Sequence, residues 1–181
     1  MYPSELTGTY TIDPAHSRFG FVARHAMVTK VRGSIPLMEA TAFLDASDPS
    51  ASHVRVVLDV AGIDTGNPQR DGHLRTGDFL DATNHPHITF TSTAVKHTGD
   101  DAFEVTGCLT IRGVTREITI PLDHTGVAID AQGIRRVGFE GGMTINRKDY
   151  GVSFNAALET GGVMISDKVT LEFDLSAFKT A

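Results

Sequence analysis

The sequence predicts an all-β fold of antiparallel strands, on three observations. Apolar and polar residues alternate through most of the chain, as half-buried strands require. The alternating runs are separated by short clusters of Gly, Pro, Asp, Asn and Ser, which reverse a chain. No strand is followed by a regular helix–strand repeat, which excludes a parallel α/β fold. About eight or nine strands result, with one short helix inserted midway. A sandwich and a closed up-and-down barrel both satisfy this pattern. Sequential hairpins favour the barrel, because closure removes the sheet edges that promote aggregation. At 181 residues, 40% hydrophobic and 21% charged, residues 1–181 are expected to form a single domain with its own core.

Taken in order, GTYTID (residues 8–13) starts the first strand, and Asp13-Pro14-Ala15-His16-Ser17 is a turn whose side chains can bond nearby backbone. In RFGFVARH, Phe19, Phe21, Ala23 and His25 share one face, opposite Arg18, Gly20, Val22 and Arg24. Lys30 to Arg32 reads as a basic turn. GSIPLMEATAFLD (residues 33–45) is a third strand, with Pro36 marking an edge or a bulge. VRVVLDVA (54–61) and HITFTSTAV (87–95) follow as strands. AFEVTGCLTIRG (102–113) alternates most cleanly, with Phe103, Val105, Leu109 and Ile111 on one side. REITIPLDH buries Ile118, Ile120 and Leu122, and two more strands centre on Val137 to Ile145 and Val169 to Leu175.

The stretch IDTGNPQRDGHLRTGDFLDATNH (63–85) does not alternate. Asn67 or Thr65 can cap a helix there and Pro68 suits its first position, so a short helix is predicted. Arg70, Asp71, His73 and Arg75 crowd ionisable groups into about two helical turns, with Leu74, Phe79 and Leu80 as apolar anchors.

A net charge of −6 without a Lys/Arg run argues against nucleic acid or an anionic membrane surface as the main partner, while leaving room for local basic spots. No window has the roughly 18 apolar residues of a membrane-spanning helix, and MYPSELTG lacks the basic start and apolar run of a secretory signal. A cytoplasmic protein without stable membrane insertion is expected. The single Cys108 lies in an alternating run and reads as a strand residue. His85-Pro86-His87 could offer two imidazoles to a metal, but no third ligand stands at a diagnostic spacing, so no metal site is expected. There is no GxSxG and no glycine-rich phosphate loop.

Five segments in this order, DPAHSRFGFVARH, QRDGHLRTGDFLDA, PHITFTST, GCLTIRGVTREITI and INRKDYG, resemble the YceI-like proteins, a bacterial family of lipocalin-like, polyisoprenoid-binding barrels. The resemblance covers nearly the whole chain. It implies a lipocalin-like β-barrel whose apolar interior holds a long-chain isoprenoid lipid, such as a polyprenyl phosphate or an isoprenoid quinone. It also implies no catalytic activity, no cofactor other than the bound lipid, and a homodimer.

Phe19, Phe21, Ile88, Phe90, Leu109, Ile111, Phe139, Met143, Leu171 and Phe173 are the expected lining of that interior. Leu74, Phe79 and Leu80 are expected to face the lipid tail from the inserted segment. His25, Arg70 and His73, with Arg147 as a weaker candidate, are expected at the mouth, because Arg and His can pair with a phosphate or a quinone oxygen. The alternative readings are an enzyme using Arg70, Asp71 and His73 or His25 as acid/base groups, and an interaction module with a filled core.

Overall fold

The computed structural model describes residues 2–159 and 161–181. Ten strands form one antiparallel sheet: β1 Gly8–Ile12, β2 Arg18–His25, β3 Thr29–Ser34, β4 Leu37–Leu44, β5 His53–Asp59, β6 His87–His97, β7 Ala102–Ile111, β8 Val114–Ile129, β9 Arg135–Asn146 and β10 Lys168–Lys179. From β4 to β10 each strand pairs with its sequence neighbours in a meander, β2 pairs with β3 and β10, and β1, paired with β4 and β10, closes the sheet. Ten strands occupy only eight positions in the wall. β10 pairs with β2 through Thr170 to Asp174 and with β1 through Ala177 to Lys179, so β1 and β2 are two halves of one bent strand. β3 and β4 are likewise halves of the next. The result is the closed up-and-down barrel of about eight strands that the alternation predicts.

Local chemistry explains both breaks. Between β1 and β2 the Asp13 carboxylate accepts the Ala15 N–H at 2.9 Å and pairs with the His16 ring at 2.8 Å, turning the chain without ladder bonds. Between β3 and β4 stands Pro36, which has no N–H to give a ladder, and the register with β5 shifts between Leu37 and Glu39. The basic stretch around Lys30 and Arg32 is not a turn. It is strand β3, paired with β2 from Thr29↔His25 to Ser34↔Gly20. The reversal lies at Ala26 and Met27 instead.

Alternation sorts the wall into two faces. On β7 the side chains of Val105, Leu109 and Ile111 are buried while Glu104 is exposed and Cys108 is half-buried on the outer side. The outer face carries threonine pairs, Thr106–Thr119 at 2.8 Å and Thr110–Thr115 at 2.7 Å, which join β7 to β8.

Residues 60–86 lie across one end of the barrel. Asp64 and Ser34 exchange two backbone hydrogen bonds of 2.9 Å, so the insert pairs where β3 would otherwise end free. Its helix, Pro68–Leu74, begins as expected: the Asn67 side chain accepts from the N–H groups of Gln69 and Arg70, and Pro68 follows it.

Candidate functional site

The inner faces of the strands enclose a cavity of about 240 Å³ with an almost wholly apolar wall. It runs along the barrel. On β7 alone it is lined from Phe103 to Ile111, about 27 Å along the strand at the usual rise; with the tilt of barrel strands this is about 20 Å along the axis. Every part of the wall contributes: Ile12 from β1, Phe19 and Phe21 from β2, Ala42 from β4, Val56 and Leu58 from β5, Ile88 and Phe90 from β6, Ile118 to Leu122 from β8, Val137 and Phe139 from β9, and Leu171 to Ala177 from β10.

Free space persists because small residues stand among the large ones. Gly107 shares the inward face of β7 but has no side chain. A Cβ there would come within 2.6 Å of the Phe90 ring and 2.4 Å of the Thr91 carbonyl oxygen, so only glycine lets that ring lie against the wall. Ala42 and Ala177 face the cavity across from larger groups.

The two ends of the cavity differ. Its polar and ionisable lining residues, Tyr2, Asp45, Ser52, His53 and His124, gather at the end away from the insert, where β4 hands over to β5 and where the N-terminal residues cross. His53 is exposed, and it stacks on Phe43 with ring centroids 5.6 Å apart. The Tyr2 ring meets His124 edge-on at 5.5 Å and lies 5.9 Å from Phe103. Its hydroxyl donates to the Asp100 carbonyl at 2.7 Å and lies 3.2 Å from the Asp101 carboxylate. Burial, and then the Asp101 contact, push the Tyr2 hydroxyl above its ordinary pKa. At the other end no lining residue is exposed: Phe21, Ile35, Leu58, Ile88 and Ile111 are buried or half-buried. The cavity therefore opens at the rim formed by Asp45, Ser52 and His53.

Of the residues expected to line the interior, Phe19, Phe21, Ile88, Phe90, Leu109, Ile111, Phe139, Leu171 and Phe173 face the cavity. Met143 does not. It has the inward parity of Phe139, but it lies farther toward the insert and packs into the core there. Leu74, Phe79 and Leu80 also pack into the core rather than line the cavity, with Phe79 only 5% exposed. The insert is thus an end plug that does not line the cavity. Phe79 forms its centre, edge-on to His73 at 5.0 Å and to Phe154 at 5.1 Å.

The expected mouth residues stand at the insert end, outside the cavity lining, and all but His25 have another task. Arg70 donates to the Thr65 hydroxyl at 2.7 Å and the Thr65 carbonyl at 2.8 Å, closing the loop before the helix. His73 pairs with Asp78 at 2.8 Å. His25 is exposed at the end of β2, beyond the cavity. Asp71, the buried carboxylate of the cluster, accepts from the backbone N–H of Thr65 at 2.9 Å and from its hydroxyl. Arg147 is buried and donates to the carbonyls of Ser166 (2.9 Å), Val152 (2.7 Å) and Phe154 (2.9 Å); burial lowers its pKa. Arg70, Asp71 and Arg147 satisfy backbone groups of irregular chain that has no ladder partner.

The rim residues escaped the sequence reading because Asp45, Ser52 and His53 lie in or beside a polar turn, where hydrophilic side chains are ordinary. His124 could have been found. It continues the inward face of Ile118, Ile120 and Leu122 with the same spacing. Among the described residues no group of three or more His, Cys, Asp or Glu side chains is placed to hold a metal ion.

This fold is shared with known proteins. The YceI-like domain model matches residues 10–177. The chain belongs to the YceI-like family. A UPF0312 protein of Staphylococcus aureus strain MSSA476 is 37% identical over 166 residues, covering 90% of this chain and 93% of that protein. A UPF0312 protein of Azotobacter vinelandii is 37% identical over 149 residues, covering 81% and 78%. Among solved structures, Burkholderia cenocepacia BcnA superposes with a TM-score of 0.80 at 25% identity, covering 91% of this chain and 98% of BcnA. A polyisoprenoid-binding domain from Saccharophagus degradans has a TM-score of 0.70 at 16% identity, covering 94% and 98%, and shares the fold.

Proposed function

We propose that this YceI-like barrel binds a long-chain isoprenoid lipid without chemically changing it, the tail lying along the barrel axis and the polar head at the rim of Asp45, Ser52 and His53. The observation that carries the reading is the apolar cavity, which runs about 20 Å and meets ionisable side chains at one end only. Each CH₂ moved from water into such a wall is worth about 0.8 kcal/mol, so a hydrocarbon tail needs no directional partner. A head group does need one, and the rim offers carboxylate, hydroxyl and imidazole. The name of the Saccharophagus degradans neighbour supports the same ligand class. The acid/base cluster that an enzyme reading would use is engaged in holding the plug and has no access to the cavity.

Solvent extraction of purified protein followed by mass spectrometry tests this proposal, and one mass distinguishes a polyprenyl phosphate from an isoprenoid quinone. A prenyl lipid is expected from the wild type and is expected to be lost in Ala42→Phe, which drives a ring into the cavity. No prenyl lipid in the extract, together with no uptake when either lipid is offered, would overturn the reading.

A further inference from the structure

The hairpin of β2 and β3 has a chemistry unlike the rest of the molecule. The chain is acidic overall, yet between Asp13 and Glu39 it carries no carboxylate, the longest such interval in the sequence, and this interval holds Arg18, Arg24, Lys30 and Arg32. At its tip stand Met27 and Val28, 55% and 75% exposed, the latter the most exposed large apolar side chain among the described residues. The tip is also held in an unusual backbone. Ala26 and Met27 have φ of 51° and 61°, and Val28 N–H donates to the His25 carbonyl at 3.0 Å, the tight turn that ordinarily selects Asn-Gly. An alanine and a methionine are strained there. Neither gains burial by it, so nothing inside the barrel explains an apolar tip. A neighbouring loop supports it: Ala26 N–H donates to the Met164 carbonyl at 2.7 Å, which brings exposed Val163 beside the tip.

Carboxylates facing the hairpin do not cancel its charge. Glu172 on β10 lies 3.8 Å from Arg18 and 3.7 Å from Arg32, one carboxylate between two guanidinium groups. Asp167 is paired with Lys148 at 3.3 Å. Arg24 donates to the Val28 carbonyl at 3.2 Å, and Lys30 is exposed with no carboxylate within ion-pair distance among the described residues. Apolar side chains ringed by uncompensated cations are what a surface needs to rest on anionic lipid head groups while inserting a few methylenes beneath them.

From this juxtaposition we infer that the β2–β3 hairpin docks the protein on a negatively charged lipid bilayer, with Met27 and Val28 entering the interface and Arg24, Lys30 and Arg32 over the head groups. The contact is peripheral. It holds the barrel by the end opposite the rim, so docking is independent of what the cavity carries.

Cosedimentation with vesicles tests it, using phosphatidylcholine alone and phosphatidylcholine mixed with phosphatidylglycerol. Wild-type protein is expected on the mixed vesicles at low salt, with much less at high salt and on phosphatidylcholine alone. The variant Met27→Asp with Val28→Ser should fold, since Asp tolerates positive φ, and should lose binding about tenfold or more, as should Lys30→Glu with Arg32→Glu. Ile129→Ser, at an apolar tip on the rim end, should bind as wild type, and so should the cavity-filled Ala42→Phe. No wild-type binding to the mixed vesicles, or equal binding by the folded hairpin variants, would overturn the inference. Wild-type protein forming a dimer that Met27→Asp with Val28→Ser dissolves, without vesicle binding, would also overturn it and make a second copy the occupant.

Discussion

The two ends of the barrel solve opposite problems with the same kinds of residue. At the insert end, irregular chain must be buried, and long basic side chains run back to its carbonyls: Arg75 to Ala61 at 2.7 Å, Arg112 to Gly77 at 2.6 Å, and Arg147 to three or more carbonyls at once. At the rim end the charged groups lie outside the wall. Arg136 bridges Asp13 at 2.8 Å and Asp130 at 3.0 Å, tying the break between β1 and β2 to the β8–β9 hairpin. The cavity lining at that end keeps few polar side chains, Tyr2, Asp45, Ser52, His53 and His124. The difference teaches that a dense polar cluster in the sequence can mark scaffolding, while the polar groups that meet the cavity are few and scattered.

Substitutions at the two ends should separate stability from binding. The largest loss is expected for Phe79→Ala, which empties the centre of the plug and should cost about 4 kcal/mol. Lipid bound per folded molecule should stay unchanged, because Phe79 lies outside the cavity. Urea denaturation and extraction on the same sample check both halves, and loss of lipid from folded protein would break the distinction between plug and wall. Next is Arg147→Ala, expected to cost about 3 kcal/mol because buried carbonyls lose a charged donor. Arg116→Ala, whose guanidinium makes one exposed contact to the Asp149 carbonyl at 3.0 Å, should change stability by less than about 0.5 kcal/mol.

The outer network at the rim end should show in pH. Hydrogen bonds from His16 and Arg136 hold the Asp13 carboxyl down to about 2 against an ordinary 3.8. A lowered carboxylate contributes stability that is fully present above its unfolded-state value and is lost as pH falls through its folded value. Asp13→Asn should therefore lower Tm at neutral pH, by the equivalent of about 2 kcal/mol. The gap to wild type should narrow between pH 4 and pH 2. A gap independent of pH over that range would show that Asp13 acts through turn geometry and not through its charge.

Much of this was legible in the sequence. Period-two alternation located most of the strands and selected the inward residues of β7 and β10; on β6 parity holds for Ile88 and Phe90, but the register shift between Ser92 and Ala94 turns Val95 inward in place of Ala94. Three things were hidden. Strand β3 read as a turn because its cations, Lys30 and Arg32, are what an edge segment carries. Gly107 and Ala42 shape the cavity by lacking side chains, and an absence leaves no hydrophobic signal. Met143 shows the limit of parity, which gives the face of a residue but not its depth along the barrel.

The smallest effect on stability, and the sharpest test of the rim, is expected at His53. Its ring is exposed and its one aromatic neighbour is Phe43, so His53→Ala should alter stability by no more than about 0.5 kcal/mol. It is nevertheless part of the cavity wall where the cavity opens. If an anionic head group rests there, losing a charge-assisted hydrogen bond should weaken a polyprenyl phosphate by about 1.4 kcal/mol, or tenfold. A quinone, which accepts a neutral hydrogen bond, should lose less. Titration of both lipids into wild type and variant measures the two changes against one another. Equal affinities for both lipids in a folded His53→Ala would remove the head group from this rim and leave the tail alone to hold the ligand.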